Sequence, residues 1–344
     1  MHEHGEKKVL VLAFGDRERS ASTIYRVAQY ENLFTESGAR LTFVPKQALD
    51  FRIIEAARKH DVVLNQKCLV NTWLGHMIAR NAKRMILDID DPMWTRHNRP
   101  FHPFKKWQIE KRISWWSKAS DRVLVANSYI AEHIRAAGFA NKVMVLPMSL
   151  DLDIWRPRDG RPEHTGNVTI GWAGSPAGFS YLETIAPVLR EIKRKHPAVK
   201  LSIYSGKRPD LGCEYDYTPF ARGTEHEFVR NLDVGLLPLA DAESAWGKSP
   251  IKSIQYIACG VPVVGNIVGA TKDILNPLNS IAVGSENEWL AALDKLISDA
   301  SLRKSLGIAG RTHAHDNFDR VKTGHRFVNI VLGTGESPVR EASH

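Results

Sequence analysis

Short apolar runs alternate with longer segments of helical periodicity along almost the whole chain, and the pattern occurs twice. The first series sets 9–14 before a helical 23–36, then 41–44, then 62–65 before a helical 72–82. It continues with 84–90, then 123–126 before a helical 129–137, and ends at 143–146. The second sets 168–173 before a helical 181–194, followed by 201–204, 225–231, 234–239, a helix opening near Pro250, 261–264, 280–283 and a helical segment from 286. Strands apolar on both faces belong in parallel sheets covered by helices on both sides. Between the two series, 151–166 is rich in Pro, Gly, Arg and Asp and reads as a linker. The expected fold class is α/β, with two doubly wound Rossmann-like halves and ligands at the carboxyl ends of the strands.

At 344 residues, 43% hydrophobic and 25% charged, the chain can bury two cores as a soluble globular protein does. Its polar start leads into an apolar run too short for a signal peptide, and no run reaches membrane-spanning length, so a cytoplasmic location is expected. Cys68, Cys213 and Cys259 show no paired spacing, and the histidines form no H-E-x-x-H pattern, so no metal site is expected. A net charge of +9 points to an anionic partner: nucleic acid, a membrane surface or a phosphorylated substrate. The basic residues match no nucleic-acid module, and no nucleic acid is expected.

The segment Trp246 to Asn266 reads WGKSPIKSIQYIACGVPVVGN. Ser249-Pro250 has the form of a helix start with Ser249 as N-cap and Pro250 in the first turn, Ile251, Ile254, Ile257 and Ala258 repeat at helical spacing, and Gly260 ends the run. Lys248 and Lys252 stand where helix N–H groups already favour an anion, which outlines a phosphate site. Ordinary surface lysines on an amphipathic helix are the plain alternative. Gly171 to Gly178 (GWAGSPAG) follows a strand and precedes a helix, the place for a diphosphate-cradling loop through Gly174 and Ser175, although glycine at such a turn is often only steric.

Asp88-Ile89-Asp90-Asp91 ends an apolar strand, and three crowded acids raise one another's pKa unless a cation relieves them. The D-x-D-D spacing resembles the haloacid dehalogenase phosphatase motif, with Asp88 as nucleophile, except that Pro92 follows where threonine is usual. It also mimics a manganese-binding D-x-D. Arg26, in a helix start expected to face a cleft, has the planar fork that suits phosphate or carboxylate, or else snorkels over the helix. Residues 96–118 carry seven basic side chains and one acid. There Ile109, Ile113 and Trp116 form one stripe and Phe104, Trp107 and Trp115 another nearly opposite. The second stripe suits an anionic membrane surface or a lipid-linked acceptor, or is covered by a loop or the terminal helix.

The run Gly247-Lys248-Ser249-Pro250-Ile251-Lys252-Ser253-Ile254-Gln255-Tyr256-Ile257-Ala258-Cys259-Gly260-Val261-Pro262-Val263-Val264 resembles the G-K-x-P-x-K-x-x-E-Y-x-A-x-G-x-P-V-V segment of retaining glycosyltransferases of family 4, which have the GT-B fold. Ala119 to Asn127 resembles the family's A-D-x-V-I-x-x-N strand, Leu146 to Asp151 its hinge, Ala28 to Gly38 its first helix, and Ser298 to Gly310 its late helix pair. The resemblance implies an acceptor-side domain over 1–150, a linker over 151–166, a nucleotide-sugar domain over 167–319, and a crossover helix and tail over 320–344. It implies a nucleoside-diphosphate sugar as donor, no further cofactor and no metal. Asp90, Lys248 and Lys252 would be catalytic. Gly174, Ser175, Asp241, Ser249 and Gln255 would bind the donor, and Arg26 and Asp91 would face the acceptor or cleft. The acceptor would be a glycan, a lipid-linked carrier or a small molecule, with 96–118 resting on an anionic membrane. Gln255 replaces the family's second glutamate, the first falls on Gly247, and the Arg and Lys usual after the Gly174 turn are missing. Those departures keep a non-catalytic sugar-nucleotide-binding protein as the alternative.

Overall fold

The computed structural model describes residues 5–96, 100–159 and 168–334. The chain divides into two compact units. One runs through Met148 and takes in Gly247–Ser249 and the chain from Arg320 on; the other holds Ser149–Trp246 and Pro250–Asp319. The chain leaves the first unit ahead of the linker expected at 151–166, of which 160–166 lie outside the described residues.

In the first unit β1 (Lys7–Ala13), β2 (Ala39–Pro45), β3 (Val62–Gln66), β4 (Met85–Ile89), β5 (Arg122–Val125) and β6 (Val143–Val145) form one sheet. Their order is β2-β1-β3-β4-β5-β6, with every neighbour parallel. Side chains alternate across a strand, and here both faces are buried. Leu10 and Leu12 pack with Ile53, Leu74, Ile78 and Trp116 from the helices Arg52–Lys59, Thr72–Asn81 and Pro103–Ala119. Val9, Val11 and Ala13 face the opposite core with Tyr30, Phe34 and, from the terminal helix Arg320–Leu332, Phe327 and Val331.

That terminal helix is fixed at its end as well as its face. Lys7 donates to the Leu332 carbonyl at 3.1 Å, and Arg84 to those of Val331 and Ile330 at 3.1 and 2.9 Å. Cations there satisfy carbonyls with no partner inside the helix and meet the negative end of its dipole. Phe327 is fully buried, edge-on to Phe34 with centroids 5.7 Å apart.

The helix expected over 23–36 is broken. Val27 leaves the helical region at φ −134°, ψ −55°, which separates Ala21–Arg26 from Glu31–Glu36 and lets Val27, Tyr30 and Phe34 all turn inward. Trp115, expected on an outer stripe with Phe104 and Trp107, instead lies over Gly75 and donates to His76 at 3.2 Å. Arg26, expected to meet an incoming anion, is 2% exposed. Its Nε and Nη2 bind both oxygens of the buried Asp88, and its Nη1 donates to the Leu146 carbonyl at 2.6 Å. The planar fork does find a carboxylate, but an internal one. Burial works against the guanidinium's charge, and Asp88 more than offsets this, so Arg26 stays protonated.

In the second unit β7 (Thr169–Ala173), β8 (Lys200–Ser205), β9 (Asp216–Pro219), β10 (Val234–Leu237), β11 (Val263–Gly265) and β12 (Ser280–Ala282) give the order β12-β11-β10-β7-β8-β9, again all parallel. β9 has no counterpart in the sequence reading: it is an edge strand of mostly exposed residues ending in proline, with no apolar run to mark it. The helix Ile251–Ala258 starts after Pro250, which takes the N-cap position expected of Ser249, and Gly260 follows its end at φ +66°.

Phe327→Ala is expected to lower unfolding free energy by about 3–5 kcal/mol in a denaturant titration; a loss under ~1 kcal/mol would mean the terminal helix is not a structural cover. Arg26→Met should cost about 3–5 kcal/mol, because it strands a buried carboxylate, and Arg26→Met with Asp88→Leu should recover most of that loss. A double variant as unstable as the single one would refute the isolated-charge account.

Candidate functional site

Each sheet reverses strand order once: between β1 and β3 in the first unit, and between β7 and β10 in the second. Open α/β sheets bind ligands at the carboxyl ends of the strands beside such a reversal. Of the residues singled out from the sequence, Asp88, Asp90 and Asp91 lie at the end of β4 in the first unit, and Gly174, Ser175 and Lys252 at the end of β7 in the second.

In the first unit, Asn65 brackets the end of β3 by accepting from the Cys68 N–H at 2.8 Å and donating to the Cys68 carbonyl at 3.2 Å. Lys67, inside that turn, takes φ +42°, unusual for a residue with a side chain. The turn sends its ammonium into the acid cluster beyond β4, 2.5 Å from Asp90 and 3.1 Å from Asp91. Asp90 also accepts from the Ser22 hydroxyl at 2.5 Å, and Gln66 donates to that hydroxyl at 2.9 Å. Burial opposes the charge on Lys67, yet the two aspartates more than offset it and hold its pKa above the ordinary range. Each of the three crowded acids thus has an internal cation beside it, Arg26 at Asp88 and Lys67 at Asp90 and Asp91, although burial outweighs Arg26 and still holds the Asp88 carboxyl above the ordinary carboxylate range.

This pairing sorts the candidates. Asp88 is fully buried against Arg26 and cannot attack phosphorus, which removes the phosphatase reading. Among the described residues no group of three or more His, Cys, Asp or Glu side chains could hold a metal ion. Asp90, expected to be catalytic, is 1% exposed with its carboxylate on Lys67 and Ser22. Its neighbour Asp91 has a side chain 44% exposed and is the accessible carboxylate of the cluster. Asp91 also accepts from the Ser249 N–H at 3.2 Å. The sequence reading missed Lys67, Gln66 and Ser22, although Gln66-Lys67 breaking off an apolar run was a usable sign of a strand end.

In the second unit β7 and β10 pair only through Ile170–Val234 and Gly171–Gly235, and beyond that point they diverge. The gap is closed by the Tyr256 hydroxyl, which accepts from the Ala173 N–H at 3.2 Å and donates to the Leu236 carbonyl at 3.3 Å. Burial raises the pKa of this phenol well above its ordinary value, so it remains the donor it must be. The ring lies flat on Gly235, where a Cβ would come within 2.7 Å of it.

One turn earlier on the same helix, Lys252 holds its ammonium 4.3 Å from the centre of the buried Trp172 ring. A Cβ on Gly174 would collide with both groups, so glycine here is a requirement of close approach. The Gly174 N–H donates to the Tyr204 carbonyl at 2.9 Å, and Ser175 opens to solvent before the short helix Phe179–Thr184. A cation, a tight loop and a helix start thus converge at the end of β7.

Lys248 is exposed, and Gln255 is half-buried on the helix Ile251–Ala258. The buried Ser249 hydroxyl has no hydrogen-bond partner among the described residues. Asp241 accepts from Trp246 Nε1 at 2.5 Å and lines a cavity of about 660 Å³ together with Asn266, Val268, Val283, Ser285 and Glu286. Asn266 shapes its wall by accepting from the Leu239 N–H at 3.1 Å and donating to the Val283 carbonyl at 2.9 Å.

No family model and no curated protein matches the sequence. Solved structures do match over nearly the full length. Sucrose-phosphate synthase from Thermosynechococcus elongatus superimposes with a TM-score of 0.75 at 13% identity, covering 95% of this chain and 98% of that one. Anabaena HepE in complex with UDP-glucose gives 0.71 at 14% identity, covering 95% and 100%. A glycosyltransferase from Rickettsia africae gives 0.69 at 12% identity, covering 96% and 100%. At such identities a likeness speaks for architecture, and the architecture is that of the GT-B glycosyltransferases.

Proposed function

We propose that this protein is a metal-independent, retaining glycosyltransferase of family 4 that moves a hexosyl group from a nucleoside-diphosphate sugar to a hydroxyl of a glycan or lipid-linked acceptor. The observation that carries the reading is Lys252 held over Trp172 beside the Gly174 loop, at the strand reversal of the second sheet. The UDP-glucose complex of a protein with this fold supports a donor of that kind.

In the reaction the bond between the anomeric carbon and the diphosphate oxygen breaks, and the acceptor oxygen bonds to that carbon on the same face. The acceptor's proton leaves with the departing diphosphate. The protein's contribution is electrostatic. Lys252, with Lys248 at the mouth of the same helix, bears on the charge gathering on the diphosphate, and the Ser175 N–H beyond Gly174 and the Ser249 hydroxyl offer hydrogen bonds. Asp241 and Gln255 take hydroxyls of the donor. Asp91 meets the acceptor, and Asp90 acts through Lys67 and Ser22 as a positioning residue rather than by touching the sugar.

UDP and UDP-glucose are expected to raise the melting temperature, since each binds only the native state. Replacing Lys248 and Lys252 together by Ala should weaken UDP binding in calorimetry by roughly 2–4 kcal/mol; unchanged affinity would remove the diphosphate site. Turnover of a nucleotide sugar should persist in EDTA. Complete loss there, restored by manganese, would instead favour a metal-assisted diphosphate.

A further inference from the structure

The start of the helix Pro103–Ala119 breaks two local rules at once. It has no acid in its first turn but carries Lys105 and Lys106 there, at the positive end of the helix dipole where cations are unfavourable. It also exposes Phe104 and Trp107, at 60% and 52%, stacked with centroids 5.8 Å apart, with the Lys111 ammonium 5.5 Å from the Trp107 ring centre.

The helix also projects. Trp115 is level with Gly75 and His76, and Arg112 donates to the Leu69 carbonyl at 3.2 Å. At about 1.5 Å per residue, Phe104 therefore lies roughly two turns beyond the start of the helix Thr72–Asn81. Both helices follow strands of the same parallel sheet, so this overhang is at its carboxyl edge. A second exposed pair stands at that edge: Phe51 before the helix Arg52–Lys59 and Trp73 in the first turn of Thr72–Asn81, 72% and 57% exposed and edge-on at 5.8 Å.

We infer that these two aromatic pairs, Phe104/Trp107 and Phe51/Trp73, form a docking face of the first unit for an anionic lipid bilayer, with Lys105, Lys106 and Lys111 meeting the headgroups. Exposed aromatic rings and lysines at a helix start are each unfavourable in water. Both become favourable against a surface that is apolar below and negatively charged above. Because the face projects, it suits insertion into a broad surface rather than closure around a small ligand. It deepens the lipid-linked acceptor reading by assigning the residues that meet the membrane, and it stands apart from donor binding.

Co-sedimentation of the full chain at low salt tests this with vesicles of phosphatidylcholine, alone or mixed with phosphatidylglycerol. The protein should pellet with the mixed vesicles and not with the neutral ones, and release as salt rises. Phe104→Ser with Trp107→Ser, and separately Phe51→Ser with Trp73→Ser, should each cut partitioning roughly tenfold or more. The UDP-induced thermal shift should stay unchanged in both, showing an intact fold and keeping this test separate from that of the donor site. The inference is overturned if the native chain ignores the mixed vesicles, if it binds neutral vesicles equally well, or if either double variant partitions like the native protein.

Discussion

A parallel strand buried on both faces has no room for a charged side chain except at its end. Both sheets obey that constraint, and the polar chemistry of the protein collects at their carboxyl edges. β1 buries Val9 through Ala13, and β3 and β4 are buried throughout. Asp88, the one acid within β4, is tolerated because Arg26 reaches it with two nitrogens while a third serves the Leu146 carbonyl. A buried ion pair adds little net stability over apolar packing, but it is costly to break. Its visible result is to hold the helix Ala21–Arg26 against the strand end where Asp90 and Asp91 emerge.

The same constraint explains why Lys67 adopts a strained backbone. An extended continuation of β3 would carry it past the acid cluster, whereas the turn bracketed by Asn65 brings it between Asp90 and Asp91. Strain of this kind persists only when its surroundings over-determine it, and it gathers at functional positions.

At the second sheet the equivalent difficulty is geometric. Diverging strands leave backbone groups with nowhere to pair, and the Tyr256 hydroxyl takes one from each. The helix that supplies Tyr256 also carries Lys252, so the residue closing the sheet and the residue offering charge are positioned by one element. Their closeness to the strands is possible because Gly235 and Gly174 have no side chain to displace them.

The alternating pattern by itself determined two parallel sheets, since strands apolar on both faces have no other stable setting. The segment ending in Gly260 located the helix of Lys252 for a similar reason: spacing and a C-terminal glycine are local properties. What remained for the tertiary structure was the pairing of charges. Arg26 and Asp88 are far apart in sequence, as are Lys67 and Asp90, and nothing local says which cation will relieve which acid. Exposure was likewise undecidable along one helix, where Trp107 and Trp115 share a stripe. Only the approach of Gly75 covers Trp115, while the overhang leaves Trp107 in solvent, because burial depends on where a neighbouring helix begins.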